Sequence, residues 1–209
     1  MTTPQKNSGL VWDLPLRLFH WSLALCFAGA WLTAESEVWK LWHISFGYSM
    51  GLLVGFRLIW GVLGTRYARF SEFVKGPSAV KAYFLSHLRG QNGQAEQHVG
   101  HNPAGALAII AILLTTIIIV VSGYLTYQEI GGDWLSEVHE VMASLLMAIV
   151  VLHIAAVVAT SVLQKENLVR AMLTGKKKLT DGAAIQQSRP VLALLLLAAL
   201  MAVWWGVFR

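Results

Sequence analysis

Apolar residues in this chain gather into long blocks instead of alternating with polar ones. Five stretches, about 16–34, 43–64, 103–125, 138–162 and 190–208, approach the roughly 20 apolar residues that a helix needs to cross a bilayer. The last, PVLALLLLAALMAVWWGVF, is the purest and carries no polar anchor. Trp12, Trp39, Trp42, Trp60, Trp134, Trp204 and Trp205 fall near the block ends, where indole suits the headgroup belt. The pattern predicts an all-α integral membrane protein. Between the second and third blocks, Pro77 to Arg89 places Val80, Tyr83, Phe84 and Leu88 on one helical face and reads as a short helix lying in the interface. His87 and His98 in this connection read as solvated loop residues, and Gly90 to Gln94 as a flexible linker. The polar start runs into Trp12 without a small-residue cleavage site after an apolar core, so the first block is expected to stay in the mature chain.

Composition sharpens this picture. Of 209 residues, 56% are hydrophobic and 13% charged, against about 25% charged in soluble domains. The net charge of +5 describes the connections and gives no reason to expect nucleic acid. Residues 1–17, 65–101 and 163–189 hold thirteen Lys and Arg, whereas 35–42 and 126–137 hold Lys40 against Glu35, Glu37, Glu129, Asp133 and Glu137. Basic connections stay cytoplasmic, so the N-terminus is expected inside and, after five spans, Arg209 outside. The single cysteine, Cys26, reads as packing within the first block. One thiol cannot hold an iron–sulfur cluster, and no C-x-x-C-H run attaches a haem covalently. Any redox centre therefore hangs on histidine.

His139 and His153 are fourteen residues apart in one block. Fourteen residues are close to four helical turns, so the two point the same way within about 40° and stand roughly 21 Å apart along the axis. The topology matches each with a histidine at its own depth: His20 with His153 at the inner side, His43 with His139 at the outer side. Ionisable groups inside spans are costly and usually functional. Paired at two depths, they predict two non-covalent haems, each iron held by two imidazoles with no open position, an arrangement suited to electron transfer.

Arg57 lies fourteen residues after His43 on nearly the same face, which brings its guanidinium to the inner haem, where propionates need a cation. Snorkelling to the inner headgroups is the alternative. Gly47, Gly51 and Gly55 clear space along the same helix for a macrocycle or a close neighbour. His101, Asn102 and Pro103 form a helix start. Three roles fit His101 there: partner of an inner-haem propionate, partner of a quinone carbonyl, or cap. Glu137 and Glu140 flank His139, either tuning it through its second nitrogen or simply solvated.

These residues carry a resemblance. WDLPLRLFHW from Trp12 to Trp21, HISFGY from His43 to Tyr48, RLIWG from Arg57 to Gly61, GHNP from Gly100 to Pro103, SGY from Ser122 to Tyr124, His139 with Glu140, and ENLVRAMLTGK from Glu166 to Lys176 resemble the bacterial cytochrome b561 family, in its branch of b-type cytochrome subunits of nickel–iron hydrogenases. The resemblance implies a four-helix membrane bundle over residues 1–178, with two haem b groups on His20, His43, His139 and His153. Residues 179–209, a linker and a fifth transmembrane helix, depart from it.

The resemblance further implies a bacterial inner-membrane protein that exchanges electrons between a periplasmic partner and membrane quinone. The expected partners are a c-type cytochrome or a hydrogenase-like protein. Two alternatives stay open. One is a stand-alone superoxide:ubiquinone oxidoreductase, which the acidic outer connections disfavour because its substrate is an anion. The other is a haem-free transporter or proton channel that uses its histidines as relays.

Overall fold

The computed structural model describes residues 7–88, 99–179 and 183–209. His98, Lys6, Arg89 and the 90–94 linker lie outside the described residues. Five long helices correspond to the five apolar blocks: α1 (Leu14–Thr33), α2 (Lys40–Leu63), α5 (Pro103–Tyr127), α6 (Trp134–Gln164) and α8 (Pro190–Phe208). Between them lie the short helices α3 (Phe70–Phe73), α4 (Pro77–Leu88) and α7 (Leu168–Thr174) and the strands β1 (Asn7–Leu10) and β2 (Lys176–Leu179). The helix expected over 77–89 is thus present as α4, packed against α5.

Among the described residues four helices, α2, α5, α6 and α8, are long and apolar enough to cross a membrane. The first block was expected to span as well, but α1 does not reach that apolarity. Its 20 residues include Arg17, His20 and Trp21, and it lies along α2 as an antiparallel hairpin. A second hairpin joins α5 to α6, and the two hairpins meet through α2 and α5. The fifth helix packs on α2 and α1.

Helix starts follow the local chemistry. Asp13 precedes α1 and its Oδ1 accepts from the Leu16 amide at 2.8 Å, with Pro15 in the first turn. Asn102 does the same for α5, accepting from the Gly105 amide at 2.7 Å ahead of Pro103. Gly175 ends α7 with φ 78°, and a Cβ there would stand 2.5 Å from the Trp12 carbonyl oxygen. Glycine is therefore required twice over.

The basic connections fold together into a cap at one end of the bundle. Strands β1 and β2 pair antiparallel, Asn7 opposite Leu179 and Leu10 opposite Lys176. The amides of Val11 and Trp12 donate to the Gly175 carbonyl, at 2.8 and 3.1 Å, and the Leu14 amide to Ser188 at 2.9 Å. The Tyr67 hydroxyl donates to the Ala183 carbonyl at 2.7 Å. We call this the basic end. The opposite, acidic end carries exposed Glu35, Glu37, Glu129, Asp133 and Glu137. Phe208 reaches Trp42 there, ring centres 5.6 Å apart, so α8 runs parallel to α1 and the described chain starts and finishes at opposite ends.

Candidate haem sites

On α6, His139, Leu146 and His153 recur every seven residues on one stripe, and Leu146, 1% exposed, stands midway between the histidines. This stripe is the inward face, since α6 buries only Leu135 and Leu146 among its residues.

At the acidic end the rings of His43 and His139 stand with centres 6.1 Å apart and planes inclined at 69°. An imidazole nitrogen sits about 2 Å from a bound metal ion and roughly 1 Å from its own ring centre, so one ion between two rings sets their centres roughly 6 Å apart. The second nitrogens are occupied in matching ways. Nδ1 of His43 donates to the Ala30 carbonyl and Nδ1 of His139 to the Ile119 carbonyl, each at 2.9 Å. A carbonyl only accepts, so both Nδ1 atoms carry the proton and both Nε2 atoms keep a free lone pair, the state a metal ligand needs.

Space is provided alongside. One turn on from His43, a Cβ added at Gly47 would meet nothing within 4 Å, and the same holds at Gly55. At Gly51 it would meet Val120 at 3.0 Å. Among the described residues no three His, Cys, Asp or Glu gather to hold a bare ion. Paired imidazoles beside open helix surface fit a metal whose other ligands come from a macrocycle, and in this respect the residues fit haem.

At the basic end His20 and His153 are close enough to act on one another electrostatically. Nδ1 of His20 is buried without a hydrogen-bond partner, and its ring meets Trp21 edge-on at 5.0 Å. Arg57 is 2% exposed, which leaves it no route to headgroups. Its Nη1 donates to the Ala68 carbonyl at 3.0 Å, and its guanidinium lies over Phe70, 4.5 Å from the ring centre. Phe70 can approach because Gly61 has no side chain: a Cβ there would lie 2.0 Å from the ring.

His101 packs between Trp12 and Phe73, ring centres 4.5 and 4.8 Å away. Burial, then the charges of Arg57 and Lys177 and the nearby His20 and His153, push its imidazole down to about 3. Asn102, not His101, supplies the helix cap. His101 also borders a cavity of about 250 Å3 shared with Arg66, Tyr67, Glu72, Phe73, Val99 and Ala183.

The structure therefore brings His101 together with Arg57, His20 and His153 at the basic end, and His43 and His139 to each other at the acidic end. It does not bring Glu137 or Glu140 to His139. Both are exposed, as the solvated alternative has it, and the ring nitrogen that the tuning alternative assigned to them is taken by Ile119. Two residues with structural roles at the sites were not singled out from the sequence. Asp13, wholly buried, joins the start of α1 to Trp60 and Thr65. Gly123 lies against His139: a Cβ there would sit 2.7 Å from Cε1 and 2.9 Å from Nδ1. A carboxylate before Leu14 and Pro15 and a glycine inside an apolar helix were the available signals.

Comparison with known proteins identifies the family. The profile of the family described as prokaryotic cytochrome b561 matches residues 11–175. A protein of Cupriavidus necator named probable Ni/Fe-hydrogenase B-type cytochrome subunit is 21% identical, over 82% of this chain and 87% of its own length. One of the same name in Azotobacter vinelandii is 26% identical, over 85% and 91%. A probable Ni/Fe-hydrogenase 1 B-type cytochrome subunit of Escherichia coli K12 is 24% identical over 58% and 61%. No solved structure gave a significant match. With the match spanning both candidate sites and every helix but α8, the chain belongs to the prokaryotic cytochrome b561 family, membrane b-type cytochromes whose name implies haem b and electron transfer.

Proposed function

We propose that this protein carries electrons between a redox protein at its acidic, periplasmic end and a quinone near its basic, cytoplasmic end, through two haem b groups. The carrying observation is the outer pair, two imidazoles 6.1 Å apart whose Nδ1 atoms are both committed to carbonyls. Haem supplies reversible one-electron chemistry. His43 and His139 hold the outer group, and the carbonyls of Ala30 and Ile119 fix their tautomers. His20 and His153 hold the inner one. Arg57, already desolvated and anchored by Ala68 and Phe70, neutralises inner propionates without a further desolvation cost. His101, held neutral, offers a ring nitrogen to a quinone carbonyl entering by the adjacent cavity.

Five exposed acidic residues at the outer end favour a basic partner surface. The names of the relatives point to a hydrogenase-like protein, and a basic c-type cytochrome fits the same charge. Stopped-flow exchange with such a partner tests this: the rate should fall as salt is added, and again when Glu35, Glu37, Glu129 and Asp133 are neutralised. Oxidation of superoxide, an anion, would instead speed up under both changes, and that result would overturn the proposed partner.

A further inference from the structure

The two histidine pairs differ in what surrounds them. At the acidic end both Nδ1 atoms donate to main-chain carbonyls, whereas at the basic end Nδ1 of His20 is buried without a partner. The cation of Arg57 belongs to the basic-end cluster, where it acts on His101 together with His20 and His153. Resting on the reading that these pairs hold haem, we propose that the Ala30 and Ile119 carbonyls make the His43/His139 centre the weaker electron acceptor and leave the His20/His153 centre the stronger, so that electrons run from the acidic end to the basic end, with Gly123 as the positioning residue that gives His139 its carbonyl.

The physical argument concerns ligand basicity. An imidazole that donates from Nδ1 to a carbonyl is more electron-rich at Nε2, and a richer ligand stabilises the oxidised iron and lowers its potential. His20 lacks that bond. A neighbouring cation favours the less positive, reduced state, so Arg57 raises the potential of the inner centre. Both effects have the same sign. The transfer moves one electron: the acidic-end centre is oxidised, the basic-end centre reduced, and no bond or proton changes place. A reduced protein at the acidic end supplies the electron and a quinone at the basic end takes it.

The two carbonyls are reachable for different reasons. Ala30 lies in the last turn of α1, where carbonyls lack a helical amide. The Ala34 amide turns to Trp31 at 3.5 Å and the Thr33 hydroxyl gives its proton to Gly29 at 2.7 Å, so the Ala30 carbonyl is left to His43. Ile119 sits mid-helix, and His139 reaches its carbonyl because Gly123, one turn on, has no side chain in the way; the Ser122 hydroxyl, 3.2 Å from that carbonyl, donates more closely to Ile118 at 2.7 Å. Gly123 is thus the handle on this property.

The test is a spectroelectrochemical titration of the haem-loaded full chain, with haem counted by the pyridine method. His20→Ala should leave one haem, the acidic-end centre, and His43→Ala the other, which assigns each midpoint. The acidic-end midpoint should be lower by at least a tenfold bias in electron distribution, about 59 mV for one electron. Gly123→Ala should raise that midpoint and leave the basic-end one in place. If Gly123→Ala fails to load the outer haem, the order of the two parent midpoints decides alone. Equal midpoints, a reversed order, or a loaded Gly123→Ala whose acidic-end midpoint falls or stays put would overturn the tuning proposal while the ligand assignment stood. A haem count unchanged by His20→Ala would instead overturn the ligand assignment, and the tuning with it.

Discussion

Asp13 has no exposed surface, and three donors from three parts of the chain converge on it: the Leu16 amide, Trp60 Nε1 at 3.1 Å and the Thr65 hydroxyl. A buried carboxylate is tolerable only when so satisfied. Asp13→Ala removes a helix cap and strands the Trp60 indole N–H, together about 3 kcal/mol. Asp13→Asn keeps an acceptor oxygen and should lose less. Thermal unfolding in detergent would rank parent above Asn above Ala, and an Ala variant as stable as the parent would contradict this role. His101 gives a pH dependence. Its folded pKa, near 3, lies below the unfolded value of about 6.5, so as pH falls through 6.5 the unfolded chain takes up a proton that the folded chain refuses. Stability from this group is intact above 6.5 and declines toward 3, by at most about 2 kcal/mol on reaching pH 5. His101→Gln cannot titrate there. Its thermal midpoint should drop less between pH 7 and pH 5 than the parent's.

At the level of elements, α8 is the long helix outside the family match of 11–175. Trp204 fixes it: Nε1 donates to the wholly buried Ser49 at 3.1 Å, and the indole meets Phe46 and Trp42 edge-on at 5.1 and 5.3 Å and stacks on Phe208 at 5.9 Å. In lipid such packing and hydrogen bonding replace the hydrophobic effect as the association force. Trp204→Leu should cost about 2 kcal/mol and make the 183–189 connection easier to cleave in limited proteolysis. Trp205→Leu, at an indole 70% exposed, should change neither. The long helices were legible because a bilayer demands about 20 apolar residues in a row. Their ends were less so: α2 begins at Lys40 and α6 at Trp134, a turn before their apolar blocks, because a first turn at the interface can be polar. The ladder of β1 and β2 was not legible. Lys176 to Leu179 reads locally as a solvated connection, and its pairing comes from main-chain contact with residues far away in sequence. Lys177 even turns inward, its side chain 8% exposed and 3.4 Å from Glu166.

On the scale of the whole molecule, the charge of the connections and the depth of the histidines carry most of the functional reading. Both survive translation from sequence to structure because they depend only on helix count and on rise per residue. The partners of the second imidazole nitrogens do not. Every helix offers carbonyls, and which one a ring meets depends on how close two helices come, here on Gly123. The central claim is that four histidines hold two haems, one at each end. It is tested most directly by the haem-to-protein ratio of the purified full chain and of single variants at His20, His43, His139 and His153, by the pyridine assay. The account predicts two haems in the parent and one in each variant; a parent with no haem, or two haems surviving any of the four substitutions, would contradict it.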